Sequence, residues 1–141
     1  MKNLRVYGNY KFIKKREVGI LVNDLSTILE FTVNSLEINF VSADKIKEIN
    51  SEHLNHHYST DIITFNYSDE QKKIDGEIFI SIDDATENAR KYKVAIMEEI
   101  SRLVIHGILH LLGYDDQHKR DKIIMKRLEN KLLNTLKFIL L

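Results

Sequence analysis

His106–Asp116 reads HGILHLLGYDD: two imidazoles four residues apart in an apolar run that breaks at Gly113 and turns acidic at Asp115 and Asp116. On an α-helix, residues i and i+4 share a face with about 5–6 Å between their Cβ atoms, so His106 and His110 can present ring nitrogens to one ion. The bare pair would equally suit two core histidines bonded to backbone carbonyls. Gly113 changes that reading. Glycine takes the left-handed conformation of a helix exit without steric cost, so a helix that stops here can fold the chain back over the same ion. The array HxxxHxxGxxD, His106 to Asp116, has the spacing of the extended zinc motif of metzincin-type sites. Three protein ligands leave the fourth position to water, as catalytic zinc requires.

Zinc proteases place a glutamate directly after the first histidine as general base, whereas this chain has Gly107. Peptide hydrolysis by that route is therefore not expected. The missing side chain is read as room beside the metal for a bulky substrate such as a nucleic-acid backbone.

The rest of the chain limits what such a site can be part of. A length of 141 residues suits one domain, expected to span 1–141. With 21 basic against 21 acidic residues, no global field draws the protein to nucleic acid or a membrane, so an RNA partner must be held by a local patch. The absence of cysteine excludes disulfides, thiolate ligands and a cysteine nucleophile. No stretch approaches the roughly 18 apolar residues of a membrane span, and the N-terminus lacks a signal-peptide core, so a cytoplasmic address is expected.

Proline is absent and only five glycines occur, so boundaries come from periodicity and caps. Strands are expected at Leu4–Tyr10, Leu36–Ser42, Asp61–Ser68 and Gly76–Ile82, the last two as a hairpin or near neighbours. Helices are expected over Lys15–Val33; from a Ser42 or Asp44 cap to Leu54; from an Asp83 or Asp84 cap to Tyr92; over Val94–Leu112; and from Lys119 to the C-terminus, the last burying Ile123, Ile124, Leu128, Leu132, Leu136 and Ile139. Strands and helices mix in one α+β unit with a small mixed four-stranded sheet.

Three ordered segments now carry a resemblance. HGILHLLGYDD is similar to the HGxLHLxGYDH signature of the YbeY family; INSEHLNHHYSTDIITF (Ile49–Phe65) matches without a gap the family block that ends in Thr-Asp-Val-Leu-Ser-Phe; and GEIFISI resembles its Gly-Asp-Ile strand. The resemblance covers about Ile49 to Asp116. It implies a metalloprotease-like (zincin-like) α+β domain with one zinc ion, and a metal-dependent endoribonuclease specific for single strands. The implied role is 3′-end maturation of small-subunit (16S) rRNA and ribosome quality control, with the rRNA precursor, the small ribosomal subunit and assembly factors as partners and no membrane.

Carried over by register, His106 and His110 take the first two ligand places and Asp116 the third, usually a histidine in the family; His118 is the rival. A carboxylate in that place adds negative charge that should make a bound water less acidic. Where the family block commonly carries a phosphate-binding arginine, this chain has Leu54, with His53, His56 and His57 beside it as candidate RNA contacts or a plain solvated loop.

Lys11–Arg16 and Lys119–Arg127 are basic clusters that fit either a phosphate backbone or a solvated face. Thr60 and Asp61 are candidates near the site by resemblance alone. Glu77 is either an exposed strand-end carboxylate or a partner for a histidine ligand, and Glu98 and Glu99 are read as surface residues. The sequence names no general base. Two other functions remain in view, a metal-braced assembly factor that does not cut and a metal-dependent hydrolase of another substrate.

Overall fold

The computed structural model describes residues 1–54 and 60–140, with side chains at 1–53 and 60–136. Its elements run β1 (Leu4–Tyr7), α1 (Lys15–Ile28), β2 (Thr32–Val41), α2 (Ala43–Leu54), β3 (Ile62–Asn66), β4 (Lys73–Ser81), α3 (Ile82–Tyr92), α4 (Ile96–Leu111) and α5 (Lys119–Leu140). The four strands form one sheet in the order β1-β2-β4-β3, with β1 and β4 parallel to β2 and β3 antiparallel to β4. This is the expected α+β domain with a small mixed four-stranded sheet.

Alternation sorts the side chains onto two faces of the sheet. Leu36, Ile38 and Phe40 of β2 and Ile74, Ile78 and Ile80 of β4 are buried in the main core, with Val18, Leu21, Val22 and Leu25 of α1 and the apolar residues of α4. Ile63, Phe65 and Phe79 turn the other way and meet Ile46 and Ile49 of α2 in a smaller cluster. The α4 helix is enclosed on most sides, with ten of its sixteen residues buried, which is why its sequence is nearly apolar apart from the histidine face.

Two glycines let α4 approach the sheet. A Cβ on Gly107 would stand 2.9 Å from Ile78 Cδ1 and 3.1 Å from Ile62 Cδ1, and one on Gly76 would stand 3.0 Å from Leu111 Cδ2. Gly107 therefore faces the strands. The reading of its bare Cα as room for substrate beside a metal is overturned: that room is filled by β3 and β4.

Other expectations need correction. The first helix ends at Ile28 rather than Val33, because Glu30 adopts φ +56° and Lys72 Nζ bonds the carbonyl of Leu29, after which Thr32 and Val33 belong to β2. The α3 helix is capped by Ser81, whose Oγ accepts from the Asp84 N–H, not by Asp83 or Asp84; Asp83 instead accepts from the Ala43 N–H at the start of α2. Ser42 caps α2 as expected, accepting from the Lys45 N–H. On α5 the buried stripe is Met125, Glu129, Leu132 and Leu136, while Ile123 and Ile124 are about half exposed. Including those two isoleucines rotates the expected face away from the one that packs on α4; the side chain of Ile139 lies outside the described residues.

Candidate metal centre

The helix exit after His110 is built as its residues dictate. Gly113 sits at φ +102°, where an L side chain would be strained, and the Gly113 and Tyr114 N–H groups close back on the carbonyls of His110 and Leu109. Asp115 then accepts from the backbone N–H of Asp116 (2.7 Å) and Gln117 (3.1 Å), a side-chain turn that aims the next residue. The two consecutive aspartates thus have different work: Asp115 holds the turn and Asp116 reaches the histidines.

His106 Nε2 and His110 Nε2 lie 3.1 Å apart, and Asp116 Oδ2 lies 3.5 Å from the first and 3.4 Å from the second. Donors around a tetrahedral ion at about 2.0–2.1 Å stand about 3.3–3.4 Å from one another, so these three atoms have the size of one face of such a tetrahedron. Among the described residues they are the group of three that could hold a metal ion. His118 is exposed and does not join them.

Behind the first histidine stands a residue that pattern alone does not single out. Glu129 on α5, 7% exposed, places Oε2 2.6 Å from His106 Nδ1, and its Oε1 accepts from Arg102 Nη1 at 3.3 Å. An Nδ1–H donated to a carboxylate leaves the lone pair on Nε2, the atom that faces His110 and Asp116. Burial is the largest influence on the His106 pKa and pulls it down, but the hydrogen bond and charge of Glu129, with Asp116 and Asp61 behind it, outweigh burial and raise it above 6.5. A signal for Glu129 is present in the sequence: a glutamate at helical spacing from Met125, Leu132 and Leu136, in the middle of an apolar stripe.

A cavity of about 390 Å³ adjoins the centre, and His106 and Glu129 are part of its wall. Asp61 and Glu99 also line it. Glu99, read as a surface residue, is 4% exposed because α3 covers that side of α4; it lies seven residues, two helical turns, before His106 and so on the same face. The two amide hydrogens of Asn88 are shared between Asp61 Oδ2 (3.1 Å) and Glu99 Oε2 (3.2 Å). Burial pushes both carboxyls above the usual carboxylate range, against the lowering effect of those hydrogen bonds.

The other candidates fall elsewhere. Thr60 does not line the cavity. Glu77 accepts from the Tyr67 hydroxyl at 3.3 Å and has no histidine partner among the described residues. His53 is exposed and packs edge-on against Phe65, with ring centroids 5.7 Å apart. The Leu54 side chain, His56 and His57 lie outside the described residues. Of the basic clusters, Lys126 reaches the cavity wall, while Lys11, Lys14, Lys15 and Arg16 are exposed far back on the chain's first helix and the loop before it.

A mixed sheet backed by a helix that presents a His-x-x-x-His pair to an aspartate beyond a glycine turn defines a zincin-like α+β domain. Comparison with known proteins narrows this class. The profile of the family described as Endoribonuclease YbeY matches residues 11–137. Proteins named Endoribonuclease YbeY from Phocaeicola vulgatus and Chlorobium phaeobacteroides are 40% identical over 86% of this chain and 87% of theirs, and 41% identical over 89% of each, respectively. A solution structure of a Thermotoga maritima protein superposes with a TM-score of 0.63 at 26% identity, covering 95% of this chain and 91% of that one. The chain belongs to the YbeY family, and membership supports an endoribonuclease role. Among the described residues no helix is long and apolar enough to cross a membrane.

Proposed function

We propose that this chain is a zinc-dependent endoribonuclease, cytoplasmic and specific for single-stranded RNA, that matures the 3′ end of small-subunit (16S) rRNA and acts in ribosome quality control. The observation that carries it is the triangle of His106 Nε2, His110 Nε2 and Asp116 Oδ2, with edges of 3.1–3.5 Å, in a chain of the YbeY family. His106, His110 and Asp116 would hold the ion. When bound, zinc supplies Lewis acidity to a phosphodiester and to water in the position that the protein leaves open.

The chain's own residues do the rest. Glu129 fixes the His106 tautomer and ring orientation, and Arg102, bonded to Glu129 and to Asn130 Oδ1 at 2.8 Å, keeps that carboxylate in place. Lys126 and the exposed Lys119, Arg120, Lys122 and Arg127 give α5 a basic surface that fits a phosphate backbone and supplies the local patch which the zero net charge demands. Small ribosomal subunits and their assembly factors are the partners this reading expects.

The test is zinc content and cleavage of a single-stranded rRNA precursor by purified native protein, His106→Ala and His110→Ala. Native protein is expected to carry one zinc per chain and to cut, and both variants to lose both properties. Equal cleavage by the variants would place the chemistry elsewhere.

A further inference from the structure

The cavity beside His106 differs from the metal corner in charge. Four carboxylates, Asp61, Glu98, Glu99 and Glu129, face two cations, Arg102 and Lys126, in its wall. A phosphate would meet net repulsion there. A cation has no cage either, because among the described residues the group with three converging donors is His106, His110 and Asp116. The occupant that fits is uncharged and rich in hydrogen-bond donors.

Its floor is polarised by one side chain. Asn88 gives both amide hydrogens away, one to Asp61 Oδ2 and one to Glu99 Oε2. Glu99 is 4% exposed, yet its other oxygen has no protein partner among the described residues. No buried side-chain oxygen or nitrogen among those residues is left unsatisfied, so that oxygen is accessible, and the surface that Glu99 lines is this cavity. An acceptor held in place from behind and open in front is a socket for an N–H donor. Tyr92, 58% exposed, stands on the wall as an aromatic surface, and Ile62, Val94 and Leu103 supply apolar contact. The volume, about 390 Å³, lies in the range of small-ligand clefts, roughly 300–1,000 Å³.

We propose that this cavity is a nucleobase pocket that takes the base next to the scissile phosphate and selects bases with an exocyclic amino group, cytosine, adenine or guanine, over uracil. The proposal rests on the RNA-cleaving reading and adds a specificity that reading does not contain. Unpaired bases are read by proteins through aromatic stacking and hydrogen bonds to their edges, and carboxylates accept from exocyclic amines. Glu99 sets the choice: its free oxygen accepts an amino hydrogen and repels the O4 carbonyl of uracil.

Asn88 also decides what a substitution does. In Glu99→Gln the new amide oxygen must take the hydrogen that Asn88 offers, which turns the new amino group toward the cavity, where it donates to uracil O4 and opposes an amine.

The experiment is titration of zinc-loaded, ¹⁵N-labelled full-length protein with CMP, AMP, GMP and UMP, following the Asn88 side-chain amide by NMR. The three amino-bearing nucleotides are expected to bind about tenfold tighter than UMP and to move the Asn88 resonances, the fold-change one good base contact supplies. Glu99→Gln is expected to remove or invert the preference, and Asp61→Asn, a second variant in case the first misfolds, to weaken it. Equal binding of all four, or a preference that survives Glu99→Gln in folded protein, overturns the proposal. RNA cleavage, measured separately, distinguishes the two claims: cutting without base preference sinks the pocket alone, and a preference without any cutting sinks the nuclease reading while the pocket stands.

Discussion

The two edges of the His106 ring are served by different parts of the chain. The Nε2 edge meets His110 at 3.1 Å and Asp116 at 3.5 Å, all within one eleven-residue segment. The Nδ1 edge meets Glu129 at 2.6 Å, from a helix 23 residues further on and inside the core. The first edge is served from nearby in the chain, the second from far along it by a buried glutamate. Local geometry supplies the donor atoms; packing of α5 on α4 decides which ring nitrogen carries the proton and so whether those donors are usable.

That contrast breaks most visibly on the outer edge. Replacing either His106 or His110 with alanine leaves two donors, and the protein is expected to lose stoichiometric zinc altogether, read by elemental analysis after gel filtration. On the inner edge, Glu129→Ala keeps all three donors and is expected to weaken zinc binding by about 10–100-fold, measured by competition with a chromogenic chelator. Native affinity in Glu129→Ala would mean the buried edge is only packing. Glu129→Gln, which still accepts from Nδ1–H, should fall between.

Gly107 sharpens the comparison from the adjoining flank of the same helix, the one set against the sheet. A Cβ there would stand within 3.1 Å of both Ile78 and Ile62. Gly107→Val is therefore expected to cost about 1–3 kcal/mol in denaturant unfolding while the folded fraction binds zinc normally. A variant with unchanged stability and abolished RNA cleavage would restore the reading of Gly107 as substrate space.

The pH dependence of metal-free protein isolates the buried edge more gently. The folded His106 pKa lies above its usual 6.5, because Glu129, Asp116 and Asp61 outweigh a burial effect that by itself lowers it. A raised folded pKa adds stability that is fully present below the unfolded value and disappears as pH rises through the folded one. Thermal midpoints of metal-free protein should therefore fall modestly on the alkaline side of pH 6.5, and Glu129→Gln should flatten that slope. The smallest effect is expected at Glu99. Burial raises its pKa, so at neutral pH its ionisation opposes folding. Glu99→Gln should raise the midpoint slightly at pH 7 and lose the advantage as pH falls through the raised folded pKa to below about 4.3, the unfolded value, where the native carboxyl is protonated in both states.

What is legible in the sequence follows the same division. The strand alternation in β2 and β4, the Gly113 exit and the i, i+4 pair are periodic or adjacent, so pattern alone names Leu36, Ile38, His106 and His110, while the choice of Asp116 over His118 rests on register with the family signature. Glu129, Asn88 and the burial of Glu99 depend on which helix faces pack together. Ile123 and Ile124 make a second apolar stripe on α5 as credible as the true one, and only the packing on α4 chooses between them. Gly107 misleads for a related reason: a glycine beside a ligand has no direction until the helix is set against the sheet.

Anomalous diffraction at the zinc edge from crystals of the zinc-loaded protein tests the centre most directly. One strong peak is expected about 2.0–2.2 Å from His106 Nε2, His110 Nε2 and Asp116 Oδ2 together. A peak bound through His118 in place of Asp116, or one away from the two histidines, would contradict it.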